Sequence, residues 1–466
     1  MKNNLWILTE ERPKTSVISS LLDILKDDCN LPNKHKKVVI EPVIKKGKFQ
    51  FVYAVKGVCS KVFNKVYIKI VSGSSSFIDY LVCLQENAPI EGDCSNVLIA
   101  VEETKTSDKE SRNTGVSQRA SKFIYAKQYC PNAKLYMLYN EELENNEDKK
   151  PSDTNIFGTN ILLTLGVNII GKSNLSWFKA FNTIDEIISF KNGMREPPEG
   201  NVPIKIVKNA DSIEVSGRLA KPKDAGNIAH DPSIGGLSMI CGALRKLGWE
   251  NDIIITKHAT SQEYVDRNRN NKFLYLCKLL NLKMQGLNIV YPESYREKYW
   301  HYEVSSEKVA SILLHIMGMN IGLRYIYENH AGCERGYFRT ADEKLITLPK
   351  KDTNGDNLLI PDVVLADMKY KNIYLIEGKQ LSTLKKGLEE IEDYDSIENE
   401  YIIPEYPNFN YLRYLSIFGG DKTELPNRKI MLYLNADGLI IINKDLPKDI
   451  LKRFKKIRRG WVPLLF

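Results

Sequence analysis

The chain has 466 residues, more than one ordinary hydrophobic core accommodates, so two or three domains are expected. A hydrophobic content of 43% excludes a largely disordered protein, and 66 Lys and Arg against 58 Asp and Glu leave a net charge of +8, which permits a polyanionic partner without requiring one. Eight cysteines without a CxxC pair point to buried free thiols in a reducing compartment rather than to disulfides or structural zinc. The start Met1-Lys2-Asn3-Asn4-Leu5-Trp6 carries no signal-peptide core, and no uncharged apolar run reaches membrane-spanning length. A cytoplasmic protein without membrane association is expected.

From the N-terminus, Val17, Ile18, Leu21, Leu22, Ile24 and Leu25 predict a helix over residues 17–27. Strands follow at 49–55 and 65–71, flanked by Lys34, Lys36, Lys37, Lys45, Lys46 and Lys48, which form either a solvated sheet edge or a DNA-facing surface. Residues 74–82 read as a strand bearing Asp79, and 97–105 as the next. In the latter Val97, Ile99, Val101, Glu103 and Lys105 share a face, so Glu103 rather than Glu102 is expected to act with Lys105. A helix reaching Phe123 carries Gln118 and Arg119, and a strand at 134–139 completes the order strand, strand, helix, strand of an αβ core. Polar residues 140–155 read as an exposed loop, and Arg195-Glu196-Pro197-Pro198-Glu199-Gly200 as the break that ends a first lobe at 1–200.

The middle segment, 201–300, places Gly235-Gly236 ahead of a helix marked by Leu237, Ile240, Leu244 and Leu247, with a strand at 252–256. The glycine pair is either a plain loop-to-helix joint or a place for backbone N–H groups to meet phosphate, which makes DNA contact this segment's candidate role. A last lobe, 301–466, opens with a helix over 306–315 whose start holds Glu307, a candidate third carboxylate. Ile360-Pro361-Asp362 then leads into the apolar run Val363-Val364-Leu365-Ala366, a polar turn and a second strand on which Ile373, Leu375, Glu377 and Lys379 share a face. This hairpin brings Asp362 beside Glu377, which suits a hard cation such as Mg2+. A helix over 382–394 carries Lys385 and Lys386, and a strand pair over 431–442 turns at Asn435-Ala436-Asp437-Gly438. The final stretch sets Lys448, Lys452, Arg453, Lys455, Lys456, Arg458 and Arg459 against the one acid Asp449, as a solvated helix face or a phosphate contact.

Glu307, Pro361-Asp362 and Glu377-Gly378-Lys379 together resemble the PD-(D/E)xK nuclease superfamily, to which most restriction endonucleases belong. The resemblance implies that Asp362 and Glu377 bind Mg2+, that the Gly378 carbonyl can join them, and that Lys379 positions or activates the attacking water. Asp79 with Glu103-Thr104-Lys105 resembles the same motif, with Ile78 in place of the proline and a longer gap between Asp and Glu. It implies a second Mg2+ at Asp79, Glu103 and the Thr104 carbonyl, Lys105 as the amine, and Gln118 and Arg119 as a polar pair on the following helix. Lys385, Lys386, Lys455, Lys456, Arg458 and Arg459 are further candidates for DNA contact. The resemblance covers residues 50–140 and 300–400. Phosphodiester hydrolysis needs phosphate charge neutralised and a water made more nucleophilic, which carboxylate-held Mg2+ and an ammonium supply.

The expectation is an α/β (α+β) protein with two restriction-endonuclease-like cores, each a mixed sheet flanked by helices, joined by the middle segment. Its expected function is that of a sequence-specific type II restriction endonuclease, similar to the type IIS enzymes that assign one site to each strand. It would act on double-stranded DNA as a monomer or homodimer, beside a cognate methyltransferase in the same cell. Two unlike centres suit an asymmetric site, whereas a symmetric dimer matches a palindrome. Three alternatives stay open: one lobe cuts while the other reads DNA, a repair or junction nuclease lacks sequence specificity, or a non-catalytic DNA-binding module uses the carboxylates structurally.

Overall fold

The computed structural model describes residues 3–29, 31, 37–73, 77–104, 115–139, 151–172, 175–195, 204–216, 232–258, 260–268, 272–290, 298–303, 307–328, 337–456 and 464–465. It is a mixed α/β protein with several mixed sheets and helices. Two compact units are discontinuous along the chain: Met1–Ser72 with Leu84–Pro89 and Tyr302–Phe466, and Gly73–Cys83 with Ile90–His301. No described helix is long and apolar enough to cross a membrane.

In the first unit, strands β1 (Asn3–Thr9), β2 (Val39–Lys45), β3 (Lys48–Lys56) and β4 (Phe63–Gly73) lie in the order β2-β3-β4-β1, with β1 parallel to β4 and the other pairs antiparallel. Helix α1 (Thr15–Ile24) buries Val17, Ile18, Leu21 and Leu22, the apolar positions that predicted it.

The second unit pairs β5 (Tyr80–Gln85) antiparallel with β6 (Val97–Thr104). Helix α2 (Gly115–Tyr129) then crosses to β7 (Lys134–Tyr139), parallel to β6, because parallel neighbours need a crossover rather than a tight turn. Helix α3 (Asp153–Thr164) begins inside the stretch expected to be loop; Ser152 Oγ caps it by accepting from the Asn155 N–H at 3.3 Å. Strand β8 (Val167–Ile170), parallel to β7, and helix α4 (Ile184–Gly193) follow. A second sheet holds β9 (Ile206–Lys208), β10 (Ser212–Ser216), β11 (Asp252–Thr256) and β12 (Leu282–Met284). Helix α5 (Pro232–Lys246) packs against α2 and α3; α6 (Gln262–Arg267), α7 (Lys272–Leu279) and the short strand β13 (Trp300–Tyr302) follow. Gly235 and Gly236 lie inside α5 rather than ahead of it, because the helix starts at Pro232, where a missing N–H costs nothing. A Cβ at Gly236 would sit 3.1 Å from Ile204 Cδ1, so a larger residue there would crowd that side chain.

The chain then returns to the first unit with α8 (Glu307–Asn320), β14 (Arg324–Glu328), and the small hairpin β15 (Tyr337–Arg339) and β16 (Leu345–Thr347). Next come β17 (Val363–Asp367), β18 (Asn372–Gln380), helix α9 (Leu384–Glu390), β19 (Asn410–Phe418), β20 (Ile430–Leu434), β21 (Ile440–Ile442) and β22 (Leu464–Leu465). Their sheet order is β14-β17-β18-β19-β20-β21-β22. The hairpin β17/β18 is antiparallel, with Lys371 at φ +50° in its turn, while β19 and β20 run parallel to β18. Helices α8 and α9 both pack on β18, which explains why Asn372–Ile376 is buried throughout instead of alternating.

Arg453, from the helix Lys448–Lys456, pairs with the carboxylate of Asp367, which is 1% exposed and also accepts from the Lys369 N–H at 3.2 Å in the hairpin turn. Arg453→Ala leaves that carboxylate buried with no countercharge. It should cost about 3 kcal/mol, read as a lower midpoint in urea denaturation. Asp367→Asn in the same chain should restore part of the loss.

Among the described residues six cysteines are free and buried and Cys59 is free and exposed, while Cys333 lies outside them. Burial pushes the Cys241 thiol up to about 12, which makes it an unreactive core side chain.

Two candidate active centres

Asp362 immediately precedes β17. Continuing the β17/β18 register by one residue, from Val363 opposite Ile376, sets it opposite Glu377. Two hydrogen bonds lock the pair: the Asp362 N–H donates to Glu377 Oε2 at 3.3 Å, and the Gly378 N–H donates to Asp362 Oδ2 at 2.8 Å. Lys379 shares the Glu377 face, as alternation predicts, and its ammonium pairs with Glu377 Oε1 and with Glu390 Oε2 at 2.8 Å. The Tyr394 hydroxyl donates to Glu377 Oε2 at 2.5 Å. Helix α9 approaches this face closely because residue 387 is glycine: a Cβ there would lie 2.8 Å from Lys379 Cγ.

On the opposite face α8 presents Ser311. It is 8% exposed, and its Oγ has no hydrogen-bond partner among the described residues. A Cβ at position 378 would lie 2.3 Å from that oxygen and 2.9 Å from Asp362 Oδ2. An orphaned buried hydroxyl costs roughly 1–3 kcal/mol, and beside a carboxylate it offers a partner to a ligand or its water.

Burial alone would lower the pKa of Lys379, but Glu377 and Glu390 outweigh it and hold the amine above its ordinary value. Burial works in the opposite sense on Glu390, whose pKa nevertheless falls because Lys379 and Lys386 stand beside it. Lys385 and Lys386 lie on the open side of α9 with side chains 94% and 71% exposed, facing Glu389 at 3.9 Å and Glu390 at 3.3 Å.

The N-terminal motif repeats the arrangement, shifted by one residue from the expected one. Asp79 immediately precedes β5, and the β5/β6 register, with Tyr80 opposite Val101, sets it opposite Glu102. The Asp79 N–H donates to Glu102 Oε2 at 3.2 Å, and the Glu103 N–H donates to Asp79 Oδ2 at 2.8 Å. The structure thus joins Asp79 to the carboxylate of Glu102. It does not join it to that of Glu103, which accepts from the Tyr80 hydroxyl at 3.2 Å. Glu103 occupies the position of Gly378, and Thr104 that of Lys379. Period two identifies which residues share a face, but hairpin register decides which face meets Asp79.

Lys105 lies outside the described residues. The ammonium in this centre belongs to Lys122 of α2, at 3.1 Å from Asp79 Oδ1 and 2.7 and 2.9 Å from the two Glu102 oxygens. Arg119, one turn earlier on the same helix face, donates to Glu102 Oε1 at 3.3 Å and to the Glu103 carbonyl at 2.5 Å. Gln118 is also on α2, but its side chain is outside the described residues. Sequence reasoning missed Glu102 and Lys122; the available signal was the three-residue spacing of Lys122 from Arg119.

Burial and the neighbouring Asp79 push the Glu102 carboxyl up to about 8, against the opposing pull of Lys122 and Arg119. Burial would lower Lys122, but Asp79 and Glu102 raise it further. Because the raised Glu102 holds its proton more tightly in the fold than in the unfolded chain, metal-free stability should fall as pH rises from about 4.5 to about 8. The slope contributed by this group is at most about 1.4 kcal/mol per pH unit. Glu102→Gln should remove that contribution in urea denaturation with chelator present; equal slopes for both proteins would refute the assignment.

Among the described residues no group of three or more His, Cys, Asp or Glu could hold a metal ion. Each centre instead offers a pair of carboxylates, Asp362 with Glu377 and Asp79 with Glu102. Mg2+ keeps several waters and commonly takes only one or two carboxylates, so this hard oxygen set fits it, while the absence of thiol or imidazole disfavours softer ions. Glu307 begins α8, with its side chain outside the described residues. Lys455 and Lys456 lie in the C-terminal helix with side chains likewise outside, and Arg458 and Arg459 are outside altogether. No protein-family model, curated protein or solved structure matches the chain.

Proposed function

We propose that this chain is a Mg2+-dependent endodeoxyribonuclease of the type II restriction class, with two nuclease cores of the PD-(D/E)xK kind and one centre for each strand of a duplex. One observation carries the reading. The same reciprocal pair of hydrogen bonds, Asp N–H to Glu and following N–H to Asp, occurs twice at 3.2 and 2.8 Å and at 3.3 and 2.8 Å. Both copies stand at the head of an antiparallel hairpin whose second strand leads through helix to a parallel neighbour. Each pair sets a buried glutamate, Glu102 or Glu377, beside a half-buried aspartate, and burial of such charge costs several kcal/mol unless cations repay it.

Mg2+ bound by Asp362, Glu377 and the Gly378 carbonyl, and by Asp79 and Glu102, would supply Lewis-acid polarisation of the phosphate and a better water nucleophile. Lys379 is held protonated by Glu377 and Glu390, so it acts as a fixed positive charge against the developing phosphorane and not as the base. The water oxygen bonds to phosphorus as the bond to one sugar oxygen breaks. The departing oxygen takes a proton from solvent, and the attacking water loses one to it. Glu377, held by the Asp362 N–H, and Asp362, held by the Gly378 N–H, need no reorganisation on the way. The proposal carries with it double-stranded DNA as partner, a cytoplasmic setting and a cognate methyltransferase that protects the host.

Purified protein incubated with plasmid and phage DNA in Mg2+ should give discrete fragments, with ends that sequencing maps to one motif, and chelator should abolish them. A smear would indicate a nuclease without sequence specificity. Intact DNA under Mg2+ and Mn2+, despite Mg2+-independent binding, would sink the catalytic reading.

A further inference from the structure

Resting on that reading, we propose that Lys122 supplies the ammonium of the N-terminal centre from helix α2, replacing the strand lysine that Lys379 provides at the other, and that it occupies the cation's place until metal enters. Three oxygens surround its Nζ within 3.1 Å, two from Glu102 and one from Asp79, the carboxylates that would hold the metal. Position 104, the register counterpart of Lys379, holds Thr, which carries no charge. An amine must therefore come from elsewhere, and α2 packs where one turn of helix delivers both Arg119 and Lys122 to the carboxylates.

The side chains of Lys122 and Asp79 keep 25% and 17% of their surface open, while Glu102 at 1% lies behind them. A phosphate can reach the ammonium without displacing the core. Arg119 has a different position. Its guanidinium spans Glu102 and the Glu103 carbonyl, so it holds the glutamate and the strand end in place and is a positioning residue.

The arrangement also separates the two centres by their response to metal. At the C-terminal centre Glu390 gives the ammonium a second carboxylate, so Lys379 has somewhere to stay when metal takes Glu377. At the N-terminal centre the ammonium is held by the metal-binding carboxylates themselves and must withdraw toward the phosphate as metal enters.

The test uses the full chain and its variants on a duplex with differently labelled strands. Lys122→Met should slow cutting of one strand by at least 100-fold while the other is cut at the wild-type rate, which also shows that the protein is folded. Thr104→Lys combined with Lys122→Met should recover at least tenfold, because it returns an amine to the strand position. Mn2+ titration with metal alone should show Lys122→Met binding at this centre about tenfold more tightly than wild type, since no ammonium competes. Wild-type cutting of both strands by Lys122→Met would overturn the proposal. Loss of the strand in Lys105→Met but not in Lys122→Met would do the same, as would unchanged Mn2+ binding. Should Lys122→Met unfold, a folded double variant that fails to recover would equally overturn it. If wild type cuts no DNA, the functional reading fails instead, and the Mn2+ titration alone then decides where the ammonium sits.

Discussion

On the proposed two-centre mechanism, Asp362→Asn should leave only nicking, slowing one strand by roughly 10²–10³-fold, the scale of losing one preorganised charge at a reacting centre. The asparagine oxygen can still accept from the Gly378 N–H, which in the wild type lies 2.8 Å from Asp362 Oδ2, so the loop keeps its shape. What disappears is half of the negative charge that would hold Mg2+. Removing it also relieves repulsion with Glu377, whose carboxylate accepts from the Asp362 N–H at 3.3 Å. The variant should therefore melt at or above the wild-type temperature while losing activity, the usual trade where like charges are held together for function. Thermal melting with a plasmid nicking assay checks both halves. A fall in Tm accompanying the activity loss would assign Asp362 to structure.

Gly378→Ala should be nearly as damaging by a steric route. Its Cβ would fall 2.3 Å from Ser311 Oγ and 2.9 Å from Asp362 Oδ2. The hydroxyl can rotate away, but the carboxylate cannot move without giving up its bond to the residue 378 N–H. Overpacking of this kind costs about 1–3 kcal/mol, and a displacement of about 1 Å at a reacting centre costs on the order of 100-fold in rate. Adding Ser311→Ala removes the first clash only, so the double variant should regain stability in urea denaturation without regaining the lost strand cleavage.

Much of the C-terminal centre was legible in the sequence. The run Ile373, Leu375, Glu377, Lys379 alternates over an apolar strand, and the polar turn at Asp367–Lys371 has the composition of a hairpin, so register followed from a short loop. The N-terminal centre was legible only in outline. Two adjacent glutamates face opposite sides of β6, and the choice between them rested on Lys105 as the partner. The long connection between β5 and β6 left the register open, and the structure fixes it through Tyr80 opposite Val101. Lys122 was not legible because it reaches the site from a helix, where no strand periodicity points to it. The units were equally hidden: contacts that join Met1–Ser72 with Tyr302–Phe466 span most of the chain, and no change of local composition marks them. Gly235-Gly236 reads as the joint ahead of a helix but lies inside one, since the helix start at Pro232 is not marked by the apolar spacing that begins at Leu237.

The most direct test of the central claim compares Glu102→Gln with Asp362→Asn on one cleavable duplex, each strand carrying its own end label, in Mg2+. Complementary nicking is expected, with Glu102→Gln sparing one strand and Asp362→Asn sparing the other. Both variants sparing the same strand, or either cutting both strands at the wild-type rate, would contradict it.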